Sequence, residues 1–162
     1  YHQLGNVAEA LRDWEQARSH YQQALDLNIE FNDRYSQAST YHQLGRVAEV
    51  QRDWEQARSH YQQALDLKIV FNDRYSQAGT YCCLGSVSRG MEEYEQAKAH
   101  YQKSLELYAE FNDTYSIETF IIPNFTRLYQ TTQDDSILTT VAEALGMTVE
   151  QVRERFAQVS EG

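Results

Sequence analysis

Two adjacent thiols, Cys82 and Cys83, and five histidines are the residues of this sequence best suited to nucleophilic or metal chemistry. Neighbours on a helix point about 100° apart, so the two cysteines do not staple to one another. Two thiols without a disulfide framework fit a reducing, cytoplasmic setting. A catalytic cysteine needs an electropositive cleft and a third group to orient its base, and the surrounding sequence names neither. His20, His60 and His100 recur at one position of a forty-residue frame, so they belong to the frame rather than to a site. His2 and His42 are also one frame apart, and with Cys82 they make too few ligands for a zinc centre. No phosphate-cradling Gly-rich loop, Ser/His/Asp order or paired-carboxylate cleft is present. The expectation is a chain with no enzymatic activity, no cofactor and no metal.

Charge narrows the partner classes. The chain has 162 residues and a formal net charge of −10, which disfavours nucleic acid and anionic membrane surfaces, since phosphate neutralisation needs clustered Lys and Arg. No apolar run approaches the ~20 residues of a membrane span, and no signal peptide is visible. The segment Val141–Phe156 has the pattern of a helix-turn-helix reader, with Gly146 in the turn and Thr148 capping the second helix. Glu150 and Glu154 on that second helix argue for a capping hairpin instead. The chain begins at Tyr1, inside a repeat and without Met, as a piece of a longer protein would.

The elements follow from internal repetition. Residues 1–40 and 41–80 differ only at Asn6/Arg46, Ala10/Val50, Leu11/Gln51, Asn28/Lys68, Glu30/Val70 and Ser39/Gly79. A period of this size means one supersecondary unit stacked on copies of itself. In the second copy Asp33 caps a helix A from Arg34 to Gln51, whose buried stripe is Tyr41, Leu44, Val47 and Ala48. Gly45 interrupts that stripe at a cost of about 1 kcal/mol relative to alanine, which suits a point where a neighbouring helix comes close. Arg52-Asp53 makes the turn, and Asp53 with Gln56 predicts a capping box for helix B. Helix B then places Trp54, Ala57, Tyr61, Ala64, Leu65, Lys68 and Phe71 along one face, large beside small. Repeat one shows the same stripe with Leu4, Tyr21 and Phe31, and repeat three keeps it looser with Tyr81, Gly85, Tyr101 and Phe111. In the fourth period Phe125 stands in the place of the glycine. Pro123 falls mid-helix, where it predicts a kink unless the helix starts near it. The expected organisation is a single array over 1–162: repeats 1–33, 34–73 and 74–113, a degenerate repeat 114–146 and a capping helix 147–160.

This pattern resembles the tetratricopeptide repeat. Tyr41, Leu44, Gly45 and Ala48 match its helix A signature, and Ala57, Tyr61 and Ala64 match that of helix B. The forty-residue period is similar to repeats in kinesin light chains, in G-protein-signalling modulators and, most of all, in the sensor arrays of bacterial signalling ATPases. The resemblance implies an all-α fold: a right-handed superhelical solenoid of antiparallel hairpins with helices A lining a concave groove. The groove positions it implies are His2, Gln3, Asn6, Glu9 and Ala10; His42, Gln43, Arg46, Glu49 and Val50; and Cys82, Cys83, Ser86, Arg89 and Gly90. Two of the six differences between repeats one and two, Asn6/Arg46 and Ala10/Val50, fall there, while the packing positions do not change. The lysines of a carboxylate clamp are absent, so a peptide or helix carrying apolar and basic groups fits better. The expected function is protein recognition through that groove, within a larger bacterial signalling protein. The alternative is a scaffold that self-associates end to end through the open N-terminal repeat face.

Overall fold

The computed structural model describes residues 1–160 of the chain. Among them the fold is all-α, with helices in consecutive packed pairs. α1 (His2–Ala10) pairs with α2 (Trp14–Glu30), and α3 (Arg34–Val50) with α4 (Trp54–Val70). Then come α5 (Arg74–Gly90), α6 (Tyr94–Glu110), α7 (Thr114–Ser116), a π-helical turn (Ile117–Ile121), α8 (Ile122–Thr132), α9 (Ser136–Leu145) and α10 (Val149–Ser160). The chain divides into two compact units, Tyr1–Ser76 and the residues from Gln77 onward.

Each turn is built the same way. The residue before the capping acid takes the left-handed conformation: Arg12, Asn32, Arg52, Asn72, Glu92 and Asn112 all have φ between 51° and 62°. The cap's own N–H then closes the preceding helix, as Asp13 does to the Ala8 carbonyl at 2.9 Å and Asp53 to that of Ala48 at 2.9 Å. Except at Glu93, which makes no side-chain cap, its carboxylate turns forward and accepts an N–H of the next helix, Asp13 from Gln16 at 3.1 Å and Asp53 from Gln56 at 3.2 Å. The reciprocal half of the expected capping box therefore does not form at Asp53, because that N–H is already spent on the helix behind it. It forms at the start of α10, where Thr148 N–H reaches Gln151 Oε1 at 2.8 Å and Gln151 N–H reaches Thr148 Oγ1 at 3.2 Å.

The first unit centres on Ala8, Ala17, Tyr21, Leu25, Leu44 and Val47, with Trp14 and Tyr41 packed against them. Its decisive contact is a buried tyrosine laid over a glycine. A Cβ on Gly45 would stand 2.6 Å from Cδ1 of the Tyr61 ring, so only glycine lets the ring lie on α3. Gly5 under Tyr21 and Gly85 under Tyr101 repeat the arrangement. Four residues expected in buried stripes are not there. Phe31, Phe71 and Phe111 occupy the C-cap positions of α2, α4 and α6, where the chain is leaving the helix, and all three are exposed. Leu4, together with Val7 and Leu11, lies on an open face of α1, whereas Leu44 and Val47 on α3 are covered.

The second unit buries Tyr101, Leu105, Ile121, Phe125, Leu128, Leu138, Val141 and Phe156 in one core. Its fourth helix A runs in a different register from the expected one. The closing left-handed residue, Gln133, follows its cap Asp113 one residue later than Glu92 follows Asp73. The π turn holds that extra residue, and beyond it every position slips by one. Thr126, not Phe125, thus stands in the glycine position, Phe125 takes that of Leu84, and small Ala142 takes that of Tyr101. Pro123 sits in the first turn of α8, directly after the π turn, where its missing N–H costs no α-helical bond.

These packings set opposite signs for two glycine substitutions. Gly45→Ala is expected to lower unfolding free energy by about 1–3 kcal/mol, through overpacking against Tyr61. Gly79→Ala is expected to raise it by about 0.5–1 kcal/mol, because its Cβ would meet only the Tyr108 hydroxyl, at 3.4 Å, an ordinary van der Waals distance. Urea unfolding of the two variants checks both signs.

Candidate functional site

A tyrosine that crosses a glycine delivers its hydroxyl to the far side of the helix. In the first unit Tyr21 is fully buried, and its hydroxyl emerges 2.8 Å from Glu9 Oε2 and 2.8 Å from Asn6 Oδ1. The phenol has one proton, and the carboxylate is the stronger acceptor for it. Glu9 also takes the guanidinium of Arg46 at 2.5 Å, from the next repeat. Arg46 in turn donates to Gln43 Oε1 at 3.2 Å, and Asn6 lies 3.5 Å from Gln3 Oε1. Asn6, Glu9, Gln43 and Arg46 therefore line one open cleft of about 520 Å³, closed at its edge by Ala10, Arg12 and Trp14. In α3 the pattern recurs, with the Tyr61 hydroxyl donating to Glu49 Oε2 at 2.6 Å.

The site residues expected from sequence fall into three environments. Gln3, Arg46 and Val50 are exposed, while Asn6, Glu9, Gln43 and Glu49 are half-buried on the cleft side of α1 and α3. His42 is withdrawn: its ring lies 5.3 Å from that of Tyr61, and it lines a smaller hollow with Lys68 and Ser76. Cys82, Ser86 and Arg89 belong to the second unit. There Arg89 replaces the groove glutamate, and the bond reverses: Arg89 Nε donates to the Tyr101 hydroxyl at 3.4 Å. The same hydroxyl stands 3.4 Å from Ser86 Oγ and 3.4 Å from Asn124 Oδ1, and Asn124 Nδ2 approaches Cys82 Sγ at 3.6 Å. One scaffold position thus holds a carboxylate in the first unit and a guanidinium in the second.

Electrostatics keep these hydroxyls neutral. Burial, reinforced by Glu9, pushes the Tyr21 phenol well above its ordinary range, and burial raises Tyr101 too. Both stay protonated at any physiological pH. Burial drives His42 down to about 3, with Lys68 and Arg46 adding to the effect, and it lowers His2 and His60 as well. The Arg46–Glu9 pair is partly solvated, with side-chain exposures of 49% and 14%. Such a pair is worth at most about 1 kcal/mol and weakens in salt. It positions the cleft more than it holds the fold.

Sequence reasoning missed Tyr21, Tyr61, Tyr101 and Asn124 as contributors to this surface. The signal was present in the residue type: a wholly buried ring that only packs has no need of a hydroxyl, and phenylalanine would serve. Asn124 was hidden by the one-residue slip at the π turn. Among the described residues no group of three or more His, Cys, Asp or Glu is placed to hold a metal ion. No described helix is long and apolar enough to cross a membrane.

Comparison with known families places two matches on the chain. A sequence profile of the tetratricopeptide repeat covers residues 1–69, and a second profile of that repeat covers residues 78–111. No curated protein matches the chain.

The burial of His42 carries a pH dependence. Its folded pKa lies below the ordinary 6.5, so the unfolded chain binds the proton first. Stability is full above that value and falls as pH drops toward about 3, by up to about 1.4 kcal/mol per pH unit. The urea midpoint is expected to fall between neutral and mildly acidic pH. His42→Gln is expected to flatten that slope, leaving a residue from His2 and His60.

Proposed function

Because the chain belongs to the tetratricopeptide repeat family, whose repeats mediate protein–protein interaction, we propose that it binds a peptide or helix of a partner protein along the first helices of its repeats. One observation carries this reading. Tyr61 and Gly45 are identical to Tyr21 and Gly5, whereas Asn6/Arg46 and Ala10/Val50, on the cleft side of the same helices, differ. Packing is held constant while the exposed chemistry changes, as expected of a fixed frame that presents variable contacts.

The cleft chemistry suggests the kind of segment bound. Glu9 and Glu49 are oriented by phenolic protons, Gln43 and Arg46 add amide and guanidinium donors, and Val50 adds an apolar contact. A segment bearing both apolar and basic groups meets these by hydrogen bonds and charge pairs. The contacts proposed in the first unit are Gln3, Asn6, Glu9, His42 at the floor, Gln43, Arg46, Glu49 and Val50. Those in the second are Cys82, Ser86 and Arg89. The setting we propose is the sensor or scaffold part of a larger, cytoplasmic bacterial signalling protein, with repeats 1–33, 34–73, 74–113 and 114–146 and a cap from 147.

A second reading, a scaffold that self-associates end to end, rests on the open face of α1. Leu4 and Val7 are about half exposed there, while their counterparts Leu44 and Val47 are buried against α2. A helix packed on α1, whether of the same chain or of another copy, would cover them in the same way.

The double variant Gln43→Ala, Val50→Ser tests the groove. It is expected to lose at least tenfold in affinity, about 1.4 kcal/mol, for the partner that the parent chain captures. Its thermal midpoint is expected to stay unchanged, since neither side chain is in the core. Equal affinity in a calorimetric titration overturns the groove assignment.

A further inference from the structure

The face that α5 and α8 present in the second unit has a charge of its own. Residues 77–90, the part of α5 in that unit, carry no Asp or Glu, and neither does α8. The whole chain has 24 acidic residues and a formal net charge of −10. The charged side chains on those two stretches are Arg89 and Arg127. Asn124 and Arg127 lie one turn apart on one side of α8, and Asn124 reaches Tyr101 and Cys82 on the neighbouring helices.

In the first unit each phenol that crosses a glycine meets a carboxylate of its own chain. Tyr21 donates to Glu9 at 2.8 Å and Tyr61 to Glu49 at 2.6 Å. Tyr101 crosses Gly85 in the same way and is as fully buried, but Arg89 stands at the carboxylate's position. The Tyr101 hydroxyl then has Arg89 Nε, Ser86 Oγ and Asn124 Oδ1 as neighbours, each at 3.4 Å. An ordinary hydroxyl–oxygen bond is roughly 2.8 Å long. Arg89 is half-buried and, among the described residues, pairs with no carboxylate. Packing does not ask for arginine here. Gly85 already seats the ring, and a half-buried guanidinium without a counter-ion costs stability.

We infer that this spot takes an aspartate or glutamate side chain of the bound partner. The inference rests on the reading that a partner lies along the first helices, and it gives the part meeting the second unit an acidic residue. A carboxylate is acceptor-only. One oxygen takes the Tyr101 and Ser86 protons, and the other pairs with the Arg89 guanidinium through charge-assisted bonds. Glu9 shows that the frame accommodates this arrangement, because it accepts from the Tyr21 phenol and the Arg46 guanidinium together. The partner's carboxylate does for Tyr101 and Arg89 what Glu9 does for Tyr21 and Arg46. That likeness to a glutamate side chain selects a carboxylate on a side chain, and Arg127 adds positive potential on the same face.

Heteronuclear NMR of the whole chain tests this, with the Arg89 Nε–H resonance identified by its loss in Arg89→Gln. The probe is the α-methylamide of N-acetylaspartate, whose one charge is the side-chain carboxylate. Its asparagine counterpart, N-acetylalanine and inorganic phosphate are compared at equal ionic strength. The aspartate probe is expected to shift the Arg89 resonance saturably, and the asparagine probe to leave it in place. N-acetylalanine and phosphate are expected to bind about tenfold more weakly than the aspartate probe. Arg89→Glu, which places the carboxylate on the chain as Glu9 does, is expected to abolish binding of the probe without lowering the thermal midpoint. An Arg89 resonance that ignores the aspartate probe, or follows the asparagine probe equally, overturns the inference. Tighter binding of N-acetylalanine or of phosphate overturns it in favour of a chain terminus or a phosphoryl group. An Arg89→Gln chain that loses the probe but keeps full affinity for the captured partner overturns it as well. The probe needs no partner, so a silent Arg89 beside a loss of partner affinity in Gln43→Ala, Val50→Ser removes this inference and leaves the groove reading standing.

Discussion

A tyrosine ring lying on a glycine is the contact from which the rest of this structure follows. It sets how near the two helices of a hairpin come, since any side chain at Gly45 would lift Tyr61 off the helix. It buries one of the largest side chains in the unit without leaving its polar atom stranded. The hydroxyl has to find an acceptor beyond the helix it crosses, and that need fixes the conformation of Glu9 and Glu49. Core packing and surface chemistry are two ends of one side chain.

This coupling explains how a repetitive frame carries non-repetitive chemistry. The phenol can donate to a carboxylate, as it does to Glu9, or accept from a guanidinium, as it does from Arg89. Exchanging one residue on the helix surface therefore inverts the local charge without disturbing the ring beneath. The partly solvated Arg46–Glu9 pair adds little to stability, so the surface can change with small cost to the fold.

Much of the architecture was legible because the repeat displays its own rules. Gly45 inside an apolar stripe announced a close approach, and Asp13, Asp33 and Asp53 announced the helix starts. Features that depend on competition between neighbours were not legible. The Asp53 N–H can serve only one helix, and the helix behind it takes it. Phe71 has the spacing of a core residue but falls where the backbone has already turned away. His42 sits at a groove position yet is drawn in by the Tyr61 ring. The chemical role of Tyr61 was read as scaffold because position revealed its ring, and only geometry reveals where its oxygen goes.

The π turn at Ile117–Ile121 has a meaning beyond its own hydrogen bonds. One codon's worth of surplus chain lies between Asp113 and Gln133, and the helix absorbs it as a single widened coil. The hairpin downstream still meets its neighbours face to face. A molecule built from copies is vulnerable to errors of length, because one slip could rotate every later face out of place. Here the slip is confined to five residues, so such a chain can grow, duplicate and drift in size while its working surfaces stay in phase.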